Sequence, residues 1–172
     1  LFFPFITGKN FAFRIIVELI SIAYIVLALR DRNYRPRKSA ILFSFSAFMV
    51  IIGLADIFGA NFFRSFWSNY ERMEGYVAMI HYFLYFIILG SVLKTPKAWS
   101  IFLNTSIVAS TLMAFYALLQ VAGKFTINQG GSRADGFFGN ATYLAAYMLM
   151  HFFITAIFAY RHRVNKKALT TY

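Results

Sequence analysis

Residues 30–60 read RDRNYRPRKSAILFSFSAFMVIIGLADIFGA, and the break inside this stretch decides the fold class. The first nine residues carry five cations, Arg30, Arg32, Arg35, Arg37 and Lys38, against one acid, Asp31. The next 22 carry a single charge, Asp56. About 20 mostly apolar residues are enough for a helix to cross a bilayer, whereas a membrane strand needs about 9–11 with alternating polarity. Residues 39–60 are apolar on every face, so a membrane helix is expected there, with a basic segment at one end.

The pattern recurs along the chain. Spans are expected at about 11–29, 39–60, 75–93, 99–122 and 141–160. The fold class is therefore all-α: a polytopic membrane protein, a bundle of five transmembrane helices forming one membrane domain. Pro4, Pro36 and Pro96 fall outside the spans, which removes the commonest cause of a kink. Composition points the same way. The 172 residues are 60% hydrophobic and only 13% charged, about half the roughly 25% charge of a soluble domain. Such a chain has too few polar residues to cover a core. With no cysteine, it has no disulfide, thiolate metal site or cysteine nucleophile.

The net charge of +11 becomes a topology signal once the charges are placed. Segments 30–38, 94–98 and 161–172 hold 11 of the 17 basic residues and one acid, Asp31. Lys and Arg are retained on the cytoplasmic side. These segments are thus expected inside, and segments 61–74 and 123–140 outside. Nucleic-acid binding needs a basic face on a folded module, which three short segments beside membrane helices do not supply. The expected partner is the lipid bilayer and its anionic headgroups, with no nucleic acid. An outer N-terminus implies a preceding span of which Leu1–Phe5 is the outer end. The chain is expected to be a fragment of a larger helical membrane protein.

Charged groups inside a membrane are costly and usually pair. Arg14 and Glu18, four apart on one helix face, are expected to pair with each other. Asp56 is placed to reach Arg64 or an unseen helix. His81 and His151 have no second histidine at helical spacing, so they read as hydrogen-bonded bundle residues rather than metal ligands. Phe62, Phe63, Trp67, Tyr70 and Tyr76 ring one outer segment, and Trp99 marks an inner span end, as interface anchors do.

The stretch with chemical character is QGGSRADGFFGN, residues 129–140. Five of the ten glycines lie between 123 and 139. Asn140 is a candidate N-cap for the last span, and the helix start would present free N–H groups. Arg133 offers a donor fork suited to phosphate oxygens. These parts suit a lipid diphosphate; the plainer alternative is a flexible loop with an interfacial arginine and a capped helix. Glu71, Glu74 and Asp135 are scattered, which favours arginine over Mg²⁺. Glu71 or Glu74 could serve as a base; the plainer reading is a loop ion pair with Arg72.

SFWSNYERMEG at 65–75, followed among the spans by RADGFFGNATYLA at 133–145, resembles the O-antigen ligase / O-antigen polymerase family. The resemblance covers essentially the whole chain, but only the N-terminal membrane part of such a protein. It implies a metal-independent glycosyltransferase of the bacterial inner membrane, without a cofactor. Its members move a glycan from an undecaprenyl diphosphate carrier to an acceptor (lipid A core, a glycan or a protein) at the periplasmic face. In that family the arginine of R-x-x-G engages donor phosphate, and Arg133 with Gly136 match the motif. The implied substrate-binding residues are Arg133, Gly136 and Asn140; Arg64 and Arg72 are further candidates on the other outer segment. The family's His-x-x-x-Gly motif is absent: none of His81, His151 and His162 has a glycine four residues on. No catalytic histidine carries over, and this stretch alone is expected to be inactive. The alternative is a non-enzymatic polytopic membrane protein, part of a transporter or an assembly subunit. A transporter would favour broken helices and repeated midplane sites, and no internal repeat is visible.

Overall fold

The computed structural model describes residues 7–70, 72–128 and 131–170, leaving out the side chains at 162 and 164–170. Leu1–Phe5, Glu71, the Gln129-Gly130 pair and the side chains of His162, Lys166 and Lys167 therefore lie outside the described residues. Every regular element among those described is helical. The helices are α1 (Thr7–Arg30), α2 (Ala40–Ile57), α3 (Phe62–Trp67), α4 (Tyr76–Val92), α5 (Pro96–Val121) and α6 (Ala141–Thr170). A 3₁₀ turn, Arg32–Tyr34, follows α1. The chain forms two compact units, Leu1–Lys94 and Thr95–Tyr172.

Local chemistry sets the helix starts. The Ser39 hydroxyl accepts from Leu42 N–H at 3.1 Å, and the Thr95 hydroxyl accepts from Ala98 N–H at 3.1 Å. Pro96 occupies the first turn of α5, where its missing N–H costs nothing. Asn140 caps α6, its side-chain oxygen accepting from Thr142 N–H at 2.8 Å. Asn61 caps α3 in the same way through Arg64 N–H at 3.1 Å.

Four helices are long and apolar enough to cross a membrane: α1, α2, α5 and the Ala141–Arg161 part of α6. The expected span at 75–93 is an apolar helix, but α4 has only 17 residues, about 25 Å at 1.5 Å per residue. It is shorter than the hydrocarbon core of about 30 Å. The connecting segments are also more helical than expected. Segment 61–74 contains α3, α5 begins within 94–98, and α6 continues through 161–170. The cause is capping: Asn61 and Thr95 start helices inside stretches that hydropathy alone reads as loops.

In the first unit α4 packs on both α1 and α2, and α3 packs on α2 and α4. α1 and α4 run in the same direction and are tied at both ends. The Thr7 hydroxyl donates to Tyr70 O at 3.1 Å just before α4. The Lys94 ammonium, just after α4, donates to Asn33 O beyond α1 and lies 4.1 Å from the centre of the Tyr34 ring. Phe45 packs edge-on against Phe83 and Phe86 of α4. In the second unit α5 packs on α6.

The burial pattern is inverted relative to a water-soluble domain. The buried hydrophobic side chains are Val17, Met49, Ala78, Ile88 and Leu144. The buried polar ones are Thr7, Arg14, His81, Ser91, Ser110, Gln120 and Asp135. Long apolar residues such as Leu29, Phe43, Phe58 and Leu112 are exposed. In lipid, apolar residues face the solvent, and small or polar side chains hold helices together. The molecule is a multi-pass membrane protein of helices.

Candidate functional site

In the second unit, residues 123–128 and 131–140 fold back onto the end of α5, and Gln120 holds them. This residue is almost completely buried, in the last turn of α5. Its amide NH₂ donates to the Asp135 carboxylate at 2.7 Å and to Thr126 O at 2.9 Å. Its amide oxygen accepts from Asp135 N–H at 3.2 Å and Gly136 N–H at 2.8 Å. Tyr116, one turn earlier, lies between Phe137 and Phe125, with ring centres 4.1 and 4.9 Å away. Residues 123–128 and 131–140 are therefore tied to α5 through Gln120 and Tyr116. Gly136 has φ +57°, and a Cβ there would meet Met113 Sδ at 2.9 Å. The backbone conformation favours glycine, and a Cβ would also push the flexible Met113 side chain aside.

This anchoring decides what the neighbouring residues can do. The Asp135 carboxylate is fully buried against Gln120. Arg133, two residues earlier, is exposed and makes no hydrogen bond or ion pair among the described residues. Gly136 forms the turn, and Asn140 caps α6. Arg133, Gly136 and Asn140 thus lie in one described stretch, 131–140, that presents a free guanidinium.

The other two candidates, Arg64 and Arg72, come together in the first unit. With Ser68 and Asn69 they line an open basin of about 430 Å³. Both guanidinium groups are exposed and unpartnered among the described residues. Ser68, which ends α3, has φ +65° and ψ −172°. That region is essentially reserved for glycine and costs about 1–3 kcal/mol. One face of α1 holds the segment: Thr7 and Asn10 donate to Tyr70 O and Arg72 O, the latter at 2.6 Å. Arg14, one turn further, donates to Met73 O at 2.5 Å.

One expected ion pair is corrected. Arg14 does not pair with Glu18, because its guanidinium turns to the Met73 carbonyl while Glu18 meets His81 at 3.2 Å. Of the others, neither Asp56–Arg64 nor Glu74–Arg72 forms, and Glu71 lies outside the described residues.

His81 and His151 are hydrogen-bonded between helices. His81 Nδ1 faces Val77 O at 2.7 Å and His151 Nδ1 faces Tyr147 O at 2.8 Å. A carbonyl oxygen only accepts, so each Nδ1 carries a proton. His151 Nε2 is left to accept from the Ser106 hydroxyl at 2.8 Å, joining α5 to α6. His81 Nε2 meets Glu18, joining α4 to α1. Among the described residues no group of three His, Asp or Glu is placed to hold a metal.

In comparisons with known proteins, no family model, no curated protein and no solved structure matches this chain. Sequence reasoning did not single out Gln120, Tyr116, Asn10 or Ser68. The partners of Gln120 lie up to 16 residues away and those of Asn10 lie 62 away, so local spacing carries no signal for either. The clustered glycines signal the loop, but not what secures it.

Proposed function

We propose that this chain is the donor-binding membrane part of a glycosyltransferase of the O-antigen ligase / O-antigen polymerase kind. On this reading it sits in the bacterial inner membrane with segments 61–74 and 123–140 at the periplasmic face. α4 would be a fifth span: its ends are tied to both ends of α1, so it accompanies a 24-residue helix across its length. The bilayer can thin locally to accommodate its 17 residues.

The observation that carries the reading is Arg133, an uncommitted guanidinium held out by a loop that Gln120 locks in place. The donor is an undecaprenyl diphosphate-linked glycan. In the transfer, an acceptor hydroxyl attacks the anomeric carbon, forming a new glycosidic bond. The bond from that carbon to the diphosphate oxygen breaks, and its electrons leave with the diphosphate. The hydroxyl proton passes to a base in a segment outside this chain. Arg133 would stabilise the charge gathering on the leaving diphosphate, which is most effective when the donor is pre-positioned. Arg64 and Arg72 are a second set of free cations suited to phosphate oxygens.

The test is Arg133→Ala in the intact protein. Glycan transfer is expected to fall to background while expression stays normal; wild-type transfer overturns the assignment. A second reading, part of a transporter, rests on the Glu18–His81 contact midway along α1, where intramembrane charges mark transport pathways. A downstream outer loop with His-x-x-x-Gly in the full reading frame favours transfer, and its absence favours transport.

A further inference from the structure

At the opposite end of the first unit from the Arg64–Arg72 basin, Pro36, Arg37, Ser39 and Leu42 face Phe86, Ile87, Gly90 and Ser91 across a cleft of about 140 Å³. That is far more than the roughly 15 Å³ one water needs. Phe86 and Gly90, and Ile87 and Ser91, are spaced four apart, so α4 turns one face to the cleft. Gly90 makes the notch: a Cβ there would meet nothing within 4 Å.

Two polar groups in the cleft are uncommitted. Ser91 is only 3% exposed, yet its hydroxyl makes no hydrogen bond among the described residues. Other helical hydroxyls here, those of Ser21, Ser46, Thr105 and Thr111, donate to the carbonyl four residues back. Ser91 does not, and it lines the cleft. Arg37 is the second such group. Its neighbours have structural partners, Arg35 donating to Ala28 O at 3.2 Å and Lys94 to Asn33 O. The Arg37 guanidinium has none among the described residues. The cleft thus has a cation at its rim, a nearly buried and unpartnered hydroxyl within, and apolar walls from Leu42, Phe86 and Ile87.

We propose that this cleft binds one anionic phospholipid. Its phosphate sits on Arg37, a headgroup or glycerol oxygen accepts from Ser91, and an acyl chain lies along the Gly90 notch. Charge complementarity selects the occupant, because a zwitterionic headgroup brings a cation to the same basic rim. The site stands apart from any glycan transfer and does not depend on it.

The test uses the full chain purified in a neutral detergent. Phosphatidylglycerol, phosphatidylcholine and inorganic phosphate are each titrated, with retained lipid counted by native mass spectrometry. One phosphatidylglycerol per chain is expected, bound about fivefold more tightly than phosphatidylcholine, the effect of one net headgroup charge facing a basic side chain. Gly90→Leu puts a side chain into the notch, where a Cβ has open space, and should remove the bound lipid while helicity by circular dichroism is kept. Arg37→Gln should bring the two lipids to equal affinity. Equal binding of both lipids by the wild-type chain overturns the proposal. So does retention of phosphatidylglycerol by folded Gly90→Leu, or equal occupancy by inorganic phosphate alone. If Gly90→Leu does not fold, Arg37→Gln decides on the same readout: preserved preference for phosphatidylglycerol overturns the proposal.

Discussion

The amide of Gln120 directs both donors and its acceptor at a single loop, so this buried side chain controls whether Arg133 is presented in order. Truncation leaves the buried Asp135 N–H and Gly136 N–H without their partner, and each unsatisfied buried group costs about 1–3 kcal/mol. Gln120→Ala is expected to destabilise the protein by about 3 kcal/mol or more and to open segment 123–140 to protease. Gln120→Glu should be at least as damaging, because it loses both donors and sets a carboxylate against Asp135. Adding Asp135→Asn reverses the donor and acceptor roles and should recover part of the loss. Limited proteolysis and thermal unfolding of the four proteins check this; a loop equally protected in Gln120→Ala would show that Gln120 is dispensable. Arg133 was legible in the sequence because a fork donor among glycines stands out. Gln120 was not, because a glutamine ending an apolar helix looks like any polar end residue.

Among the elements, α1 shows why helix spacing alone misled. Arg14 and Glu18 satisfy the i, i+4 rule, yet a local pair of this kind is worth only about 0.5 kcal/mol. A charge-assisted bond from a buried guanidinium to a backbone carbonyl is worth about 1.5–3 kcal/mol. The tertiary partner wins, and Thr7, Asn10 and Arg14 together become the strut under residues 70–73. The receiving segment is equally exacting. A Cβ on Gly75 would lie 2.5 Å from Phe66 O and 2.7 Å from Ser68 N, both backbone atoms that cannot swing aside. Gly75→Ala is therefore expected to cost well over the about 1 kcal/mol predicted for Asn10→Ala. It should also displace Arg72 enough to alter the basin. Comparison of the two melting temperatures tests this; the reverse order would mean that α3 and α4 are not packed as described.

Over the whole molecule, hydropathy and charge made the helical membrane class legible because both follow directly from the solvent. Span length was less so: α4 has the composition of its neighbours but is cut short by Gly75 and by its end at Leu93. Sidedness rests on the basic segments and can be tested in a chain that has no cysteine of its own. In intact cells, Ser132→Cys is expected to react with an impermeant maleimide. Asn33→Cys should react only after permeabilisation. The opposite pattern would invert the proposed topology.

The scarcity of buried hydrophobic side chains also has a calorimetric consequence. The large heat capacity of unfolding in soluble domains, about 12–15 cal/mol/K per residue, comes mainly from apolar surface newly exposed to water. Here that surface already faces the surroundings in the folded state, and only five hydrophobic side chains are hidden among the described residues. Loosening the helices within a bilayer therefore changes the heat capacity little. Stability then varies almost linearly with temperature, without the curvature that produces cold denaturation.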